Sequence, residues 1–184
     1  MPNYQIRFNF PLAAGRLQIN TEANFRHMKL LFRAVGKNHE PSLKPAIDDF
    51  TQRVNRYYPT NWHLIPQLKN AGTLSEAELR KKEGEHILQS LHHDDFLVVL
   101  DEKGKQLTSQ GVSGFLQQRA NESVKNLVFV IGGAFGLDEQ VLQRARMQWS
   151  LSQLTFPHQL VRLILAEQIY RACTILRNEK YHHE

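Results

Sequence analysis

Cysteine is nearly absent from this chain: Cys173 stands alone among 184 residues. An internal disulfide is therefore excluded, and the composition fits a reducing, cytoplasmic compartment. No apolar run approaches the roughly 18 residues a spanning helix needs, so membrane insertion is not expected. Residues 1–27 contain no apolar stretch of the secretory kind, and with three arginines and no serine they lack a transit-peptide composition. Hydrolytic chemistry has no Gly-x-Ser-x-Gly elbow to rest on. Nine histidines include the adjacent pairs His92-His93 and His182-His183, but none has His-x-x-x-His or Cys/His ligand spacing, so no metal site is expected. A Gly-Lys-Ser/Thr phosphate loop is also missing.

What remains is an ordinary globular composition, 41% apolar and 22% charged, long enough for one domain with a substantial core. The net charge of +5 is unevenly spread. Residues 28–140 carry fourteen basic and fourteen acidic side chains, whereas residues 141–184 carry six basic and three acidic ones. A basic C-terminal part attracts polyanions, although a solvated helix face gives the same count.

Residues 1–27 match the rest poorly and read as an extension ahead of a domain that starts at Met28. From there strand and helix patterns alternate. Residues 28–35 read as a strand stopped by Gly36, Ser42–Tyr58 as a helix with Pro45 in its first turn, and residues 60–67 as a second strand. A capping box, Ser75 with Glu78, opens a helix to Leu91, with Glu78, Lys81, Lys82 and Glu85 on its solvated face. Phe96–Leu100 is an apolar strand of the buried parallel kind, expected to end in a turn at Asp101–Gly104. A helix over Thr108–Asn121 leads to the strand LVFVIGG, a short helix over Asp138–Arg146, a short strand within Ser150–Phe156 and a closing helix over His158–Leu176. Such alternation predicts an α/β fold, a mostly parallel sheet flanked by helices.

The chain is organised around Leu127–Ala172. Its strand ends in Gly132, Gly133 and Gly136, where a backbone can approach a ligand closely. The spacing is Gly-Gly-x-x-Gly, not Gly-x-Gly-x-x-Gly, and the next strand lacks the terminal acid that holds a ribose. By itself this is a glycine turn first and a ligand site second. The segment WSLSQLTFP has no helical period but is rich in aliphatic and aromatic residues, so it is expected to be covered by a ligand or a partner chain. Cys173, within the apolar closing helix, reads as a core residue.

Together, IGGAFG, WSLSQLTFPHQLVRLILAEQIYRA and the terminal YHHE resemble the ribosomal RNA large subunit methyltransferase H family of the SPOUT class. The resemblance runs from Met28 to Glu184 and takes in MKLLFRAVGK, KKEGEHIL and LVVLDEKG. It implies a C-terminal trefoil knot, an exception to the rule against knots, and a homodimer packed through that region. It implies S-adenosylmethionine as methyl donor and N3 of a pseudouridine in 23S rRNA, within the large subunit or the assembled ribosome, as acceptor. Family cofactor contacts fall on Leu100, Gly132, Leu151, Ser152, Gln153, Leu154, Thr155 and Phe156. Departures are Ala134 where proline is common, Phe135 where glutamate is common, and His183 where arginine is frequent. Since N3 must lose a proton to become nucleophilic, a histidine base or an arginine stabilising the anion would serve; the candidates are His182, Arg171 and Tyr181. Two other classes stay open: a non-catalytic RNA-binding module of SPOUT type, and a Rossmann-type nucleotide-dependent oxidoreductase.

Overall fold

The computed structural model describes residues 28–69 and 71–181; the expected extension 1–27 and the candidate His182 lie outside the described residues. Five strands, β1 (Lys29–Val35), β2 (Thr60–Ile65), β3 (Phe96–Gln106), β4 (Asn126–Ile131) and β5 (Met147–Ser150), form one sheet in the order β2-β1-β4-β3-β5. Every pairing is parallel. The helices are α1 (Lys44–Asn55), α2 (Glu76–Gln89), α3 (Ser109–Asn121), α4 (Glu139–Arg144) and α5 (His158–Leu176), with a short 3-10 turn at Ala71–Thr73.

Alternation along the strands sorts side chains into two cores, because successive Cβ atoms point to opposite faces. Leu30, Phe32, Leu127, Phe129 and Trp149 meet Val54 of α1, Leu116 of α3 and Leu165, Ile169 and Cys173 of α5. Val35, Leu97, Val99, Val128 and Val130 meet Ile87 of α2 and Val141 of α4. The central β4 is buried on both faces, which is why its sequence is a continuous apolar run.

Helix α2 opens with the expected capping box: the Ser75 side chain accepts from Glu78 N, and the Glu78 carboxylate accepts from Ser75 N at 2.9 Å. Two strand expectations are corrected. The segment Asp101–Gly104 does not end β3 but forms a bulge inside it: Leu100 and Lys105 both partner Trp149, and the strand runs on to Gln106. The bulge is local, with Lys103 N donating to Asp101 Oδ1 at 2.8 Å, so a turn signal is present but edge pairing with β5 overrides it. The fifth strand lies at Met147–Ser150 rather than within Ser150–Phe156, since only the residues before Ser152 find a partner on β3.

Candidate active site

At the carboxyl ends of β3, β4 and β5 the chain encloses a cleft of about 800 Å³, within the usual size of a small-molecule site. Three segments build it: the β3 bulge, the glycine loop after β4 and the loop between β5 and α5. Leu100, Leu137, Leu151, Phe156 and Val161 supply apolar wall, and Glu76 and Arg80 from the start of α2 line it with Asp101, Glu102 and Lys103.

The glycine loop is a tight turn. Gly136 N donates to Gly133 O at 3.2 Å, and Gly136 takes φ +83, a conformation other residues rarely adopt. Outside the turn, a Cβ on Gly133 would collide with the Glu83 carboxyl group, whose Cδ would be 2.8 Å away. Glu83 is buried, and burial pushes its pKa up, partly offset by His86. Gly132 lines the cleft, but the space its Cβ would take is filled by Leu137, 2.9 Å away. The glycines thus serve the packing of the loop as well as access to the cleft.

A loop of serines shapes the opposite wall. Ser150 Oγ donates to Ser152 O at 2.8 Å, and Leu154 N donates to Ser152 Oγ at 3.0 Å. These bonds commit the Ser150 hydroxyl, Ser152 O and Leu154 N to the loop and leave the Ser152 hydroxyl its proton to donate. Leu154 is 70% exposed and Phe135, on the facing glycine loop, 42%. Two apolar side chains at one rim agree with a segment awaiting a cover. The N-terminus of α4 is already occupied: the Asp138 carboxylate accepts from Gln140 N at 2.9 Å, so the protein's own anion sits where a dinucleotide's pyrophosphate would rest. This weighs against the Rossmann reading.

Of the predicted cofactor residues, Leu100, Gly132, Leu151, Ser152, Leu154, Thr155 and Phe156 line the cleft and Gln153 does not. Arg171 and Tyr181 do not line it either. They lie together near the far end of α5, where Arg171 Nε and Nη2 donate to Glu167 Oε1 at 3.0 and 2.6 Å, and Tyr181 OH donates to the same oxygen at 3.2 Å. Val161, the cleft-lining residue of α5 nearest to Arg171 in sequence, precedes it by ten residues, about 15 Å along a helix axis. Burial first and Glu167 second hold the Tyr181 hydroxyl above its ordinary 10.0, so it is a donor and not a base.

Two groups, Arg162 and Glu83, escaped the sequence reading, whereas His158 stood in it as a fallback for the tail. Arg162 is fully buried beneath the end of β1, donating to Lys37 O at 3.0 Å and Val35 O at 3.3 Å; its signal was a lone charge in the run VRLIL. His158 is kept neutral by burial and by Arg162. Glu83 shares the inward stripe of Leu79 and Ile87, a spacing visible in the sequence. Among the described residues no three or more metal-ligating side chains gather, and no helix is long and apolar enough to cross a membrane.

Residues 28–182 match the family described as "Predicted SPOUT methyltransferase". The chain is 47% identical over 157 residues to a Flavobacterium johnsoniae protein named ribosomal RNA large subunit methyltransferase H, spanning 85% of this chain and 100% of that one. A Parabacteroides distasonis protein of the same name is 46% identical with the same coverage. In structure it is similar to a probable methyltransferase from Bordetella pertussis Tohama I, with TM-score 0.50, 9% identity, and 84% and 98% of the two chains covered; at that identity the likeness concerns the fold.

Proposed function

The chain belongs to the SPOUT methyltransferase family, and from that premise we propose that it methylates N3 of a pseudouridine in 23S rRNA of the large ribosomal subunit, using S-adenosylmethionine and acting as a homodimer. The substrate class rests on the relatives, whose names specify large-subunit ribosomal RNA. The single observation that carries the cofactor is the cleft at the ends of β3, β4 and β5. It offers apolar walls, two loops, charged groups of both signs and no vacant helix N-terminus at α4. That chemistry fits a ligand with an adenine, a sulfonium, a zwitterionic amino-acid end and no phosphate.

When bound, S-adenosylmethionine supplies a methyl group on an electron-poor sulfur. Leu100, Leu151, Leu154 and Phe156 would wall it in, and the main chain of Gly132, Ser152 and Thr155 would hold it. Gln153 does not line the cleft and only links Ser152 to Leu154. For the acceptor, His182 removes the N3 proton and Arg171 stabilises the resulting anion, while Tyr181, its hydroxyl proton given to Glu167, positions the tail. Alignment supplies most of the remaining rate.

Along α5 the Arg171 backbone lies about 15 Å beyond Val161, and neither Arg171 nor Tyr181 lines the cleft of its own chain. Dimerisation answers this if the tail of one copy meets the cleft of the other, with the C-terminal trefoil knot at the interface. The test is methyl transfer to ribosomes lacking the modification, read by mass spectrometry of the rRNA. Mixing a cleft variant, Gly132→Val, with a chain cut after Lys180 should restore transfer, because one mixed site then has an intact cleft and an intact tail. Absence of transfer by the parent chain, with no binding of S-adenosylmethionine in calorimetry, would favour the non-catalytic RNA-binding module.

A further inference from the structure

We infer that Glu167 is the positioning residue of the acceptor site, orienting the Arg171 guanidinium and anchoring the C-terminal tail at Tyr181. The inference rests on the roles proposed above for Arg171 and Tyr181. One carboxylate oxygen, Glu167 Oε1, accepts from Arg171 Nε and Nη2 and from Tyr181 OH. Two nitrogens on one oxygen fix the guanidinium plane, so Nη1 faces away from the carboxylate, where an anion can be met. The carboxylate is itself held. Gln168 Nε2 donates to Glu167 Oε2 at 2.7 Å, and Gln168 Oε1 accepts from Ser109 Oγ at 3.4 Å, which ties the group to the start of α3.

The tail is fastened at two further points. The Tyr181 ring packs on Tyr170 with centroids 4.7 Å apart, with Arg171 over it at 4.9 Å. Two residues earlier, Glu179 accepts a hydrogen bond from Tyr57 at the end of α1. The residues facing the Tyr181 ring and hydroxyl are thus Glu167, Arg171 and Tyr170 of α5, with Tyr57 and Glu179 flanking Tyr170 and the tail. A carboxylate is needed here because a neutral amide would leave Arg171 uncompensated in a half-buried setting.

Glu167→Gln keeps the size and removes the charge; Glu167→Asp keeps the charge and shortens the reach. In the full-length protein, tyrosine labelled at Cζ with ¹³C and assigned with Tyr181→Phe reports the Tyr181 titration without any need for activity. Its midpoint should fall in Glu167→Gln, since the charged acceptor becomes a neutral one and Arg171 remains. Methyl transfer to unmodified ribosomes should fall by about 10²-fold in kcat, with the KM for S-adenosylmethionine unchanged. In an Arg171→Ala background, the same Glu167→Gln change should cost less than in the parent, the remainder coming from the Tyr181 anchor. Slow transfer in Arg171→Ala and Tyr181→Phe but a parental rate in Glu167→Gln would overturn the inference alone. Parental rates in Arg171→Ala and Tyr181→Phe would overturn the reading beneath it. An unmoved Tyr181 midpoint with equal losses in the Gln and Asp variants would make Glu167 merely structural.

Discussion

Replacing Gly104 with alanine probes the contact that sets the far wall of the cleft. A Cβ there would lie 2.6 Å from Gln148 C, 2.7 Å from Gln148 O and 2.7 Å from Trp149 N. The closest approach is roughly 0.9 Å inside the ~3.5 Å at which carbon atoms rest. All three atoms are backbone, so no side chain can turn aside and β5 itself must move. Overpacking of this kind costs up to about 3 kcal/mol; the stiffer unfolded chain that alanine brings returns about 0.4–1 kcal/mol. The net is roughly 2 kcal/mol, and for a domain of this size a Tm lower by about 4–8 °C. Gly114, in α3 with nothing within 4 Å of its missing Cβ, is the control, and alanine there should raise Tm by a few degrees. Calorimetric melts of both variants measure the pair. Titration with S-adenosylmethionine should also weaken in Gly104→Ala, because Trp149 and Ser150 lead into the Leu151–Phe156 wall. A Gly104→Ala protein melting at or above the parent would refute the reasoning, since β3 would then not press on β5 as described.

Glu83→Gln should stabilise the fold at neutral pH. Burial raises the Glu83 pKa above 4.5, so the folded state binds this proton more tightly than the unfolded state and loses stability as pH rises through the raised value. The advantage of the amide in thermal melts should therefore be present at pH 7 and vanish below pH 4.5, where both states of the parent are protonated. A chain cut after Lys180 should keep its affinity for S-adenosylmethionine, because no described tail residue lines the cleft, and lose methyl transfer by about 10²-fold; loss of cofactor binding as well would make the tail structural. A chain beginning at Met28 should melt within a few degrees of the full one, and a larger drop would mean that residues 1–27 support the domain.

Much of this molecule is governed by short-range signals. The closing helix spans His158–Leu176 as its periodicity and flanking proline predict, and the Ser75–Glu78 box starts α2. The apolar run of β4 requires two covered faces. Each depends on groups a few residues apart, so neighbours in the chain suffice to specify them. The sequence also carried the cleft's materials, since Leu100, Gly132 and the residues from Leu151 to Phe156 stand in recognisable motifs. Tertiary structure alone decided what those materials meet. Asp101–Gly104 has the composition of a turn, yet pairing with β5, more than forty residues on, makes it a bulge. Glu83 reads as a charge on a lysine-rich helix, but packing sets it against Gly133. Arg171 and Tyr181 have chemistry the acceptor needs, but α5 carries the Arg171 backbone about 15 Å beyond Val161 at the cleft, while Glu167 draws the two side chains to each other. Such contacts depend on how distant segments are brought together in space, and no local pattern records that distance.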